Sequence, residues 1–298
     1  MPHLIKKVAL TGAKGSVGAK VLDALIEARF QVTVLTRKEA KHPAGVEVKV
    51  VDYSSLSSLK DAVQGQDAVI DTTQSNDSET PVRLIEASAA VGVYRFITSD
   101  FGLDPDLPGV HDVPVFARKK AAYDAVKAKF KETGMTYTVI TPGLILDWNL
   151  ATGFAGIQLK EKKVTFFDKG DNVMPWTTLQ DIGRAGASAL LKPEETLNRP
   201  VYIHNVNMTQ RQMLDVAKDV LGSDGWEETS QGMTAAYKQA LADMKAGNIT
   251  MMTFGVQLQY CMAKKELCHP WEKDDNALVG VKEMTRDQVK QLIRDIVV

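Results

Sequence analysis

The chain of 298 residues has only two cysteines, Cys261 and Cys268, and five histidines. Two cysteines are too few for a disulfide framework, and Cys268-His269 has no second pair of ligands at the spacing of a zinc site. The histidines are scattered without paired spacing, so the sequence indicates neither a metal site nor Ser-His-Asp catalysis. We therefore expect no metal and two ordinary thiols in a reducing compartment.

The sequence also lacks an excess of either charge and any long apolar run. Its 36 basic and 37 acidic residues give a formal net charge of −1, which argues against nucleic acid or anionic lipid as a partner. No stretch reaches the ~18 apolar residues of a transmembrane helix. The N-terminus has lysines within its apolar run and no small-residue cleavage site, unlike a secretory signal. We expect a soluble, cytoplasmic, globular protein.

The first 145 residues alternate short apolar runs with segments of helical period, the pattern of βαβ units in a parallel sheet. The predicted strands cover residues 8–11, 31–36, 46–51, 68–71, 94–98 and 137–141. Between them we predict helices over 17–26, 55–64 and 115–132, and one that begins with an N-cap at Thr80, followed by Pro81, and stops at Gly92.

After Pro142 the pattern is less regular. We predict a hairpin over residues 164–172, a helix over 179–191 and a strand over 200–204, with mostly helical structure from Met208 onward. No repeat, low-complexity stretch or long linker separates the two halves of the chain.

These elements predict an α/β fold, a doubly wound parallel sheet of the Rossmann type with a smaller, mostly helical substrate-binding cap. Residues 1–146, with additions from 164–205, are expected to form the dinucleotide-binding domain. Residues 147–163 and 206–298 are expected to form the cap.

A glycine loop joins the first predicted strand to the first predicted helix, with Gly12, Gly15 and Gly18 spaced G-x-x-G-x-x-G. In dinucleotide folds these glycines permit a tight turn, close approach of the backbone to the pyrophosphate, and close packing of helix on strand. The helix N-terminus adds N–H groups and a partial positive charge for the phosphates. A cofactor site is favoured over an ordinary glycine-rich turn. The candidate residues are Thr11, Gly12, Lys14, Gly15, Ser16, Val17 and Gly18.

The end of the second strand indicates which dinucleotide is bound. NAD enzymes carry Asp or Glu about 20 residues past the loop to bind the ribose hydroxyls, whereas this chain has Arg37 and Lys38. Two cations suit a 2′-phosphate, and the planar fork of arginine matches its oxygens. We predict NADP(H), the alternative being a solvated charged turn.

Further candidates follow the other strands, since ligands bind at the carboxyl ends of parallel strands. These cofactor-binding candidates are Asp52, Thr73, Gln74, Ser99, Asp100, Phe101, Pro142 and Gly143. Each could equally be ordinary loop structure. The aromatic residues Phe101, Trp148, Phe154 and Trp176 are candidates for a substrate pocket, although core packing is expected for at least half of them.

The segment Arg95-Phe-Ile-Thr-Ser-Asp-Phe-Gly-Leu-Asp-Pro-Asp106 resembles the R-F-x-P-S-E-F-G-x-D-P of the isoflavone reductase, pinoresinol–lariciresinol reductase and phenylcoumaran benzylic ether reductase family. This family belongs to the NmrA-like atypical short-chain dehydrogenases. Collinear markers extend from residue 8 to about 205. The markers are the glycine loop, 35–37, 115–119, 137–138, 181–183 and 196–202. The resemblance implies a Rossmann fold that binds NADP(H) and a reductase acting on a small aromatic substrate.

The chain departs from the family pattern at three places. Thr98 replaces the proline before the serine, Asp100 replaces the glutamate, and Tyr123 stands where the plant enzymes usually carry arginine. The helix after Lys119 is also about one turn longer. The substrate wall can therefore differ, and the substrates of the plant enzymes are not assumed.

The resemblance implies that Lys119 is the general acid/base beside the nicotinamide. From the residues alone, Arg118-Lys119-Lys120 is typical of a solvated basic face. A lysine with the ordinary pKa of about 10.4 is a poor base at neutral pH. Burial beside an oxidised nicotinamide would lower that pKa, by desolvation and by repulsion between like charges.

Tyr123 and Lys127 keep a second proton relay open, because they have the Y-x-x-x-K spacing of ordinary short-chain dehydrogenases. Residues at i and i+4 share a helix face, so the lysine could lower the pKa of the tyrosine. The short distance from Lys127 to the helix end at Gly134 counts against this relay.

We predict an NADPH-dependent reductase of a small aromatic or phenolic metabolite, with Lys119 moving the proton. The alternative is an NmrA-like regulator that senses NADP(H) without turning it over, and a third possibility is a non-redox isomerase. The sequence leaves the substrate and the oligomeric state open, a homodimer included.

Overall fold

A parallel sheet forms the centre of the computed structural model, which describes residues 3–74 and 77–298. The strands are β1 (Lys7–Thr11), β2 (Gln31–Thr36), β3 (Glu47–Val50), β4 (Ala68–Asp71), β5 (Arg95–Ile97), β6 (Thr136–Thr141), β7 (Leu144–Ile145), β8 (Ile157–Gln158), β9 (Lys163–Phe167), β10 (Met174–Thr177), β11 (Arg199–Tyr202), β12 (Val206–Met208) and β13 (Glu227–Gln231). The helices are α1 (Ser16–Glu27), α2 (Leu56–Val63), α3 (Glu79–Ala90), α4 (Ala117–Thr133), α5 (Leu146–Thr152), α6 (Leu179–Leu191), α7 (Gln210–Leu221), α8 (Met233–Lys245), α9 (Met251–Ala263), α10 (Asn276–Val279) and α11 (Arg286–Val297).

Within the described residues the central sheet has seven strands in the order β11-β6-β5-β4-β1-β2-β3. All neighbouring strands in it run parallel. The chain builds outward from β1 in one direction and then from β4 in the other, so the strand order reverses between β1 and β4. The carboxyl ends of both strands open onto this switch point, where doubly wound sheets bind their ligands. The predicted α/β Rossmann fold is confirmed.

Both faces of the sheet are covered by helices, which explains the unbroken apolar runs of the inner strands. Alternate strand residues face opposite sides: Val8 and Leu10 pack with α1 and α6, whereas Ala9 packs with α2, α3 and α4. All residues of β4 and β6 are buried. The predicted strands of this sheet agree with the observed ones to within one or two residues at each end.

The predicted N-cap at Thr80 is wrong. Helix α3 begins at Glu79, and the carboxylate of Asp77 accepts hydrogen bonds from the N–H of Thr80 at 2.6 Å and from its hydroxyl at 3.1 Å. An acceptor two residues before the helix therefore satisfies the first-turn donor, and Thr80 lies inside the helix rather than at its boundary.

The predicted hairpin over residues 164–172 is also wrong. Strand β9 pairs antiparallel with β8 and parallel with β13, whereas β10 pairs with β7 and β12 in another sheet. The turn between β9 and β10 is fixed from outside. Its Asp168 carboxylate accepts hydrogen bonds from the Lys264 ammonium and from the backbone N–H of Met233, each at 2.7 Å.

From Val206 onward the chain is mostly helical, apart from β12 and β13. Helices α5, α7 and α11 share a second core with β9, β10 and α9. Val279 and Val281, near the C-terminus, instead pack in the core formed by α1 and α6. The division of the chain into two domains stays a prediction. No helix of the described residues is long and apolar enough to cross a membrane.

Candidate active site

The glycine loop lies at the carboxyl end of β1, against the neighbouring end of β4. Gly12 has a φ of +72°, in the region that favours glycine. A Cβ on Gly18 would lie 2.1 Å from the backbone oxygen of Gly12 and 2.5 Å from Thr72 Oγ1. Helix α1 therefore packs against the loop closely enough to require glycine at this position, as predicted from the spacing.

The N-terminus of helix α1 follows this loop and suits an anion. Its N-cap is Gly15, no side chain of the described residues caps it, and its first turn contains no acidic residue. The backbone N–H groups of Ser16, Val17 and Gly18 are first-turn donors of the kind that bind phosphates. These residues fit the pyrophosphate of a dinucleotide.

A prediction follows from the two glycines that face different neighbours. A Cβ at Gly15 would meet only the Gly12 oxygen, at 3.3 Å, so Gly15→Val should weaken cofactor binding more than tenfold while changing stability little. Gly18→Ala should instead lower the free energy of unfolding by about 1–3 kcal/mol through overpacking. Calorimetric titration and urea unfolding measure both. Strong cofactor binding by a poorly folded Gly15→Val protein would contradict the assignment of the loop.

A buried carboxylate, Asp71, ties the loop to the end of β4 and to helix α4. Its Oδ1 accepts hydrogen bonds from the hydroxyls of Thr11 at 2.7 Å and Thr73 at 2.6 Å. Its Oδ2 forms an ion pair with Arg118 Nη2 at 3.3 Å, and the same guanidinium donates to Thr73 Oγ1 at 2.8 Å. Ser99 Oγ donates to the Thr73 carbonyl at 2.9 Å. The ends of β1, β4 and β5 are thus joined to the start of α4.

Asp71 is not among the residues predicted from the sequence, although an acid that ends a wholly apolar strand is a usable signal. Arg118 was expected on a solvated face. Its observed partners, Asp71 and Thr73, lie 47 and 45 residues away along the chain.

The remaining cofactor candidates lie at the same edge of the sheet. Lys14, Ser16, Arg37, Lys38, Asp52 and Gln74 are exposed there. Asp52 accepts two hydrogen bonds from Ser54, at 2.6 and 2.8 Å, and these bonds lower the pKa of Asp52. Arg37 and Lys38 follow β2, and Thr36 Oγ1 donates to the Lys38 carbonyl at 3.0 Å, which fixes the turn that carries the two cations.

A cavity of about 140 Å³ lies beyond the ends of β5 and β6. Its wall is mostly apolar and aromatic. The lining residues are Phe101, Gly102, Leu103, Phe116, Lys119, Gly143, Leu144, Ile145, Trp148, Asn149, Phe154, Leu258 and Met262. Loops after two parallel strands, the start of α4, and helices α5 and α9 therefore enclose it, and three predicted site residues, Phe101, Lys119 and Gly143, meet here.

Backbone conformation shapes this wall at two places. Phe101 has a φ of +32°, rare for a residue with a side chain and a sign of backbone strain at a functional site. Gly143 has a φ of +67°, and a Cβ there would lie 2.4 Å from the Pro175 carbonyl oxygen. The N–H of Gly143 donates to the Gly102 carbonyl at 3.0 Å, which joins the loops after β5 and β6.

Lys119 reaches the cavity from the first turn of α4. Its ammonium donates a hydrogen bond to the backbone carbonyl of Asp100 and lies 5.4 Å from the centre of the Phe116 ring. A Cβ at residue 102 would lie 2.9 Å from Lys119 Nζ, so the glycine there leaves room for the ammonium.

Burial lowers the pKa of the Lys119 ammonium below its ordinary value. The Asp100 carboxylate opposes this shift, and the charge of Arg118 adds to it. Asp100 is itself buried, which raises the pKa of its carboxyl group, while Lys119 and the hydrogen bond from Thr98 Oγ1, at 2.5 Å, oppose the rise. The site therefore holds a lysine whose proton is more easily lost than that of an exposed lysine.

The three consecutive basic residues have different environments. Arg118 pairs with Asp71, Lys119 lines the cavity, and Lys120 is exposed and pairs with Asp124 at 2.6 Å. Only Lys120 has the solvated environment that the residues alone suggested.

Tyr123 does not lie in the described lining of the cavity. Its hydroxyl donates to Asp106 Oδ1 at 2.8 Å, and burial together with this carboxylate raises the pKa of the phenol. Lys127 Nζ lies 4.6 Å from the centre of the Tyr123 ring, over its face. An ordinary tyrosine–lysine relay needs the opposite shift, a phenol pKa lowered toward neutrality.

The four candidate aromatic residues are divided between the cavity and the core. Phe101, Trp148 and Phe154 line the cavity, and Phe101 also packs in the core under α1. Trp176 is fully buried in the second core, where its Nε1–H donates to the Met208 carbonyl at 3.0 Å.

A family model described as NAD(P)H-binding matches residues 12–170, more than half of the chain. The match begins at the first glycine of the loop and extends past Lys119. The chain belongs to this NAD(P)H-binding family. The predicted nicotinamide dinucleotide cofactor is thereby confirmed.

Comparison with known proteins agrees with this assignment. The chain is 29% identical over 294 residues to the oxidoreductase poxI of Penicillium oxalicum, covering 95% of this chain and 92% of that protein. It is 25% identical over 264 residues to a bifunctional pinoresinol-lariciresinol reductase of Thuja plicata, covering 81% and 80%. The fold matches a crystal structure of isoflavone reductase with a TM-score of 0.75 at 21% identity, over 95% of this chain and 98% of that one.

The predicted resemblance to the isoflavone and pinoresinol–lariciresinol reductases is confirmed by these comparisons. The chain is an NAD(P)H-dependent oxidoreductase.

Both cysteines are buried free thiols, and burial raises the pKa of Cys261 to about 12. Within residues 3–74 and 77–298, no group of three or more His, Cys, Asp or Glu side chains could hold a metal ion.

Proposed function

We propose that this protein is an NADPH-dependent reductase of a small aromatic or phenolic metabolite, with Lys119 moving the proton. The observation that carries the proposal is the position of Lys119 Nζ in an otherwise largely apolar, aromatic cavity at the carboxyl end of the sheet. Such cavities with a few polar groups are the usual form of small-molecule sites.

The cofactor, when bound, supplies the hydride. Hydride arrival on a substrate carbon leaves a negative charge on the conjugated oxygen or on a leaving oxygen, and a proton must follow. Lys119 Nζ is the group that can hold and donate that proton, because its lowered pKa brings it closer to neutrality. Its hydrogen bond to the Asp100 carbonyl fixes the position of the ammonium.

The wall of the cavity supports an aromatic substrate. Trp148 and Phe154 both line the cavity and lie with ring centres 5.6 Å apart, a tilted contact that forms an aromatic surface against which a further ring can pack. Leu258 and Met262 from α9 add apolar side chains to the same wall. The Thuja plicata relative is named for the reduction of pinoresinol and lariciresinol, which agrees with a reductase activity.

The proposal is tested with the unmutated protein and a panel of phenolic enones and benzylic ethers. We expect NADPH oxidation that depends on the acceptor, followed by absorbance, with a reduced product identified by mass spectrometry. Tight binding of NADPH without oxidation by any acceptor would favour the NADP(H)-sensing regulator instead.

A separate prediction concerns the choice of cofactor. We expect NADPH to bind at least tenfold tighter than NADH, because Arg37 and Lys38 offer charge-assisted hydrogen bonds of about 1.5–3 kcal/mol to a 2′-phosphate. Arg37→Ala should reduce this preference by weakening NADPH alone, and Arg29→Ala, an exposed arginine beyond α1, serves as the control. Equal affinities of the unmutated protein for both cofactors, measured by calorimetry, would contradict the prediction.

A further inference from the structure

Asn149 presents a buried hydrogen-bond acceptor beside the cavity that Lys119 lines. The residue lies on α5, is 4% exposed, and contributes to the cavity wall next to Trp148. Among the described residues, no group donates a hydrogen bond to its Oδ1, which is itself buried. Buried polar atoms without a partner are uncommon, and one on a residue that lines a cavity calls for an explanation, of which a bound partner is one.

The orientation of the amide is fixed by its other half. Asn149 Nδ2 donates to the Ile145 carbonyl at 2.7 Å, one helical turn earlier. Rotating the amide by half a turn would place two acceptors, Oδ1 and that carbonyl oxygen, against each other. The unpartnered atom is therefore the oxygen, which can only accept.

Packing alone does not explain an asparagine at this position. Its neighbours on α5, Leu146 and Leu150, are buried in the second core, and a leucine at 149 would remove an unpaired polar atom from the interior. The charged group on the wall, Lys119, is a donor. The wall thus contains a residue with a donor, Lys119, and a residue with an unpaired acceptor, Asn149.

We propose that Asn149 Oδ1 accepts a hydrogen bond from a hydroxyl or N–H group carried by the aromatic ring of the substrate. Asn149 is then a specificity-determining residue, and the inference rests on the proposed function in placing the substrate in this cavity. The size agrees with a single ring, since an apolar cavity of about 150 Å³ holds benzene and this one measures about 140 Å³.

The test measures binding of three single-ring probes of similar size, phenol, aniline and toluene, to the protein saturated with NADP⁺. The fluorescence of Trp148, in the cavity wall, reports occupancy. We expect phenol or aniline to bind about tenfold tighter than toluene, and the comparison of the two identifies the preferred donor. Asn149→Leu should reduce the ratio to about one, and Asn149→Ala should do the same if the leucine variant folds poorly.

Gln66 provides a matched control, because its Oε1 is also buried without a partner but lies away from the cavity. Gln66→Leu should leave the ratio of probe affinities unchanged. Equal binding of phenol, aniline and toluene by the unmutated protein, or a ratio unchanged in both Asn149 variants, would overturn the inference.

The two proposals fail separately in these measurements. Because binding is measured without turnover, a tenfold preference that depends on Asn149 supports the acceptor role even if no acceptor oxidises NADPH. Reductase activity combined with an unchanged ratio in the Asn149 variants would instead leave the reductase proposal standing and remove this one.

Discussion

Replacing Lys119 with methionine is expected to lower the rate of substrate reduction by about 10²–10⁴-fold, the usual cost of losing a positioned general acid/base. Methionine keeps most of the length and the apolar stem of lysine, so the cavity wall stays filled. NADPH affinity should change little, because the glycine loop and Arg37 are untouched. Steady-state kinetics and calorimetric titration of the same preparation separate the two effects.

The Lys119→Met protein should also melt at nearly the same temperature as the unmutated protein. The pKa of Lys119 is lower in the folded state than in the unfolded state, so at neutral pH the buried ammonium costs folding free energy rather than contributing it. Loss of the hydrogen bond to the Asp100 carbonyl acts in the opposite direction.

The pH dependence of the reduction rate of the unmutated protein is a second test of the role of Lys119. Reduction requires the protonated ammonium, so the rate should fall as the pH rises through the Lys119 pKa, at a pH below the ordinary value of 10.5. This alkaline limb should be absent from any residual activity of Lys119→Met.

Tyr123→Phe and Lys120→Met are the controls. Tyr123 donates to Asp106 and Lys120 pairs with Asp124, so both variants should keep most of their activity. If Tyr123→Phe abolishes turnover while Lys119→Met stays active, the tyrosine–lysine relay is the mechanism and our assignment is wrong.

The positions of the strands could be predicted from the sequence, because strands buried on both faces of a parallel sheet have continuous apolar runs. Val8 to Leu10 and Ala68 to Ile70 are such runs, and each is wholly buried. The predicted hairpin is wrong because the strands that pair there are far apart in the sequence. Strand β9 pairs with β13, which begins 60 residues after β9 ends, and no local signal specifies a partner at that distance.

The position of the candidate site could be predicted from the sequence, whereas the hydrogen-bond and ion-pair partners of its residues could be predicted only in part. The loops that follow parallel strands meet at one edge, which is why Ser99 contacts Thr73 and Gly143 contacts Gly102. By contrast, a run of consecutive basic residues such as 118–120 does not show which of them will contact a buried group. Arg118 and Lys119 are half-buried and contact Asp71 and Asp100, and those contacts depend on how α4 packs beside β4 and β5.

The buried partners of Arg95 could not be predicted from the sequence either. Arg95 is the first residue of the segment that resembles the reductase family, and its side chain is fully buried. The guanidinium donates to the hydroxyls of Thr136, Thr138 and Thr196 at 2.8–3.1 Å and to the Pro193 carbonyl at 2.6 Å. It therefore joins β5 to β6 and to the segment between α6 and β11. Burial lowers the pKa of Arg95.

Arg95→Ala is expected to lower the free energy of unfolding by about 3–5 kcal/mol, because it leaves a cavity and removes four hydrogen bonds at once. Arg95→Met should cost less, since it fills most of the space and removes a desolvated charge, leaving mainly the Pro193 carbonyl without its donor. Arg294→Ala, an exposed arginine on α11, should change stability by less than about 0.5 kcal/mol. Urea unfolding of the three variants measures these differences. If Arg95→Ala cost no more than Arg294→Ala, the buried guanidinium would contribute nothing to holding β6 and the segment between α6 and β11 against β5.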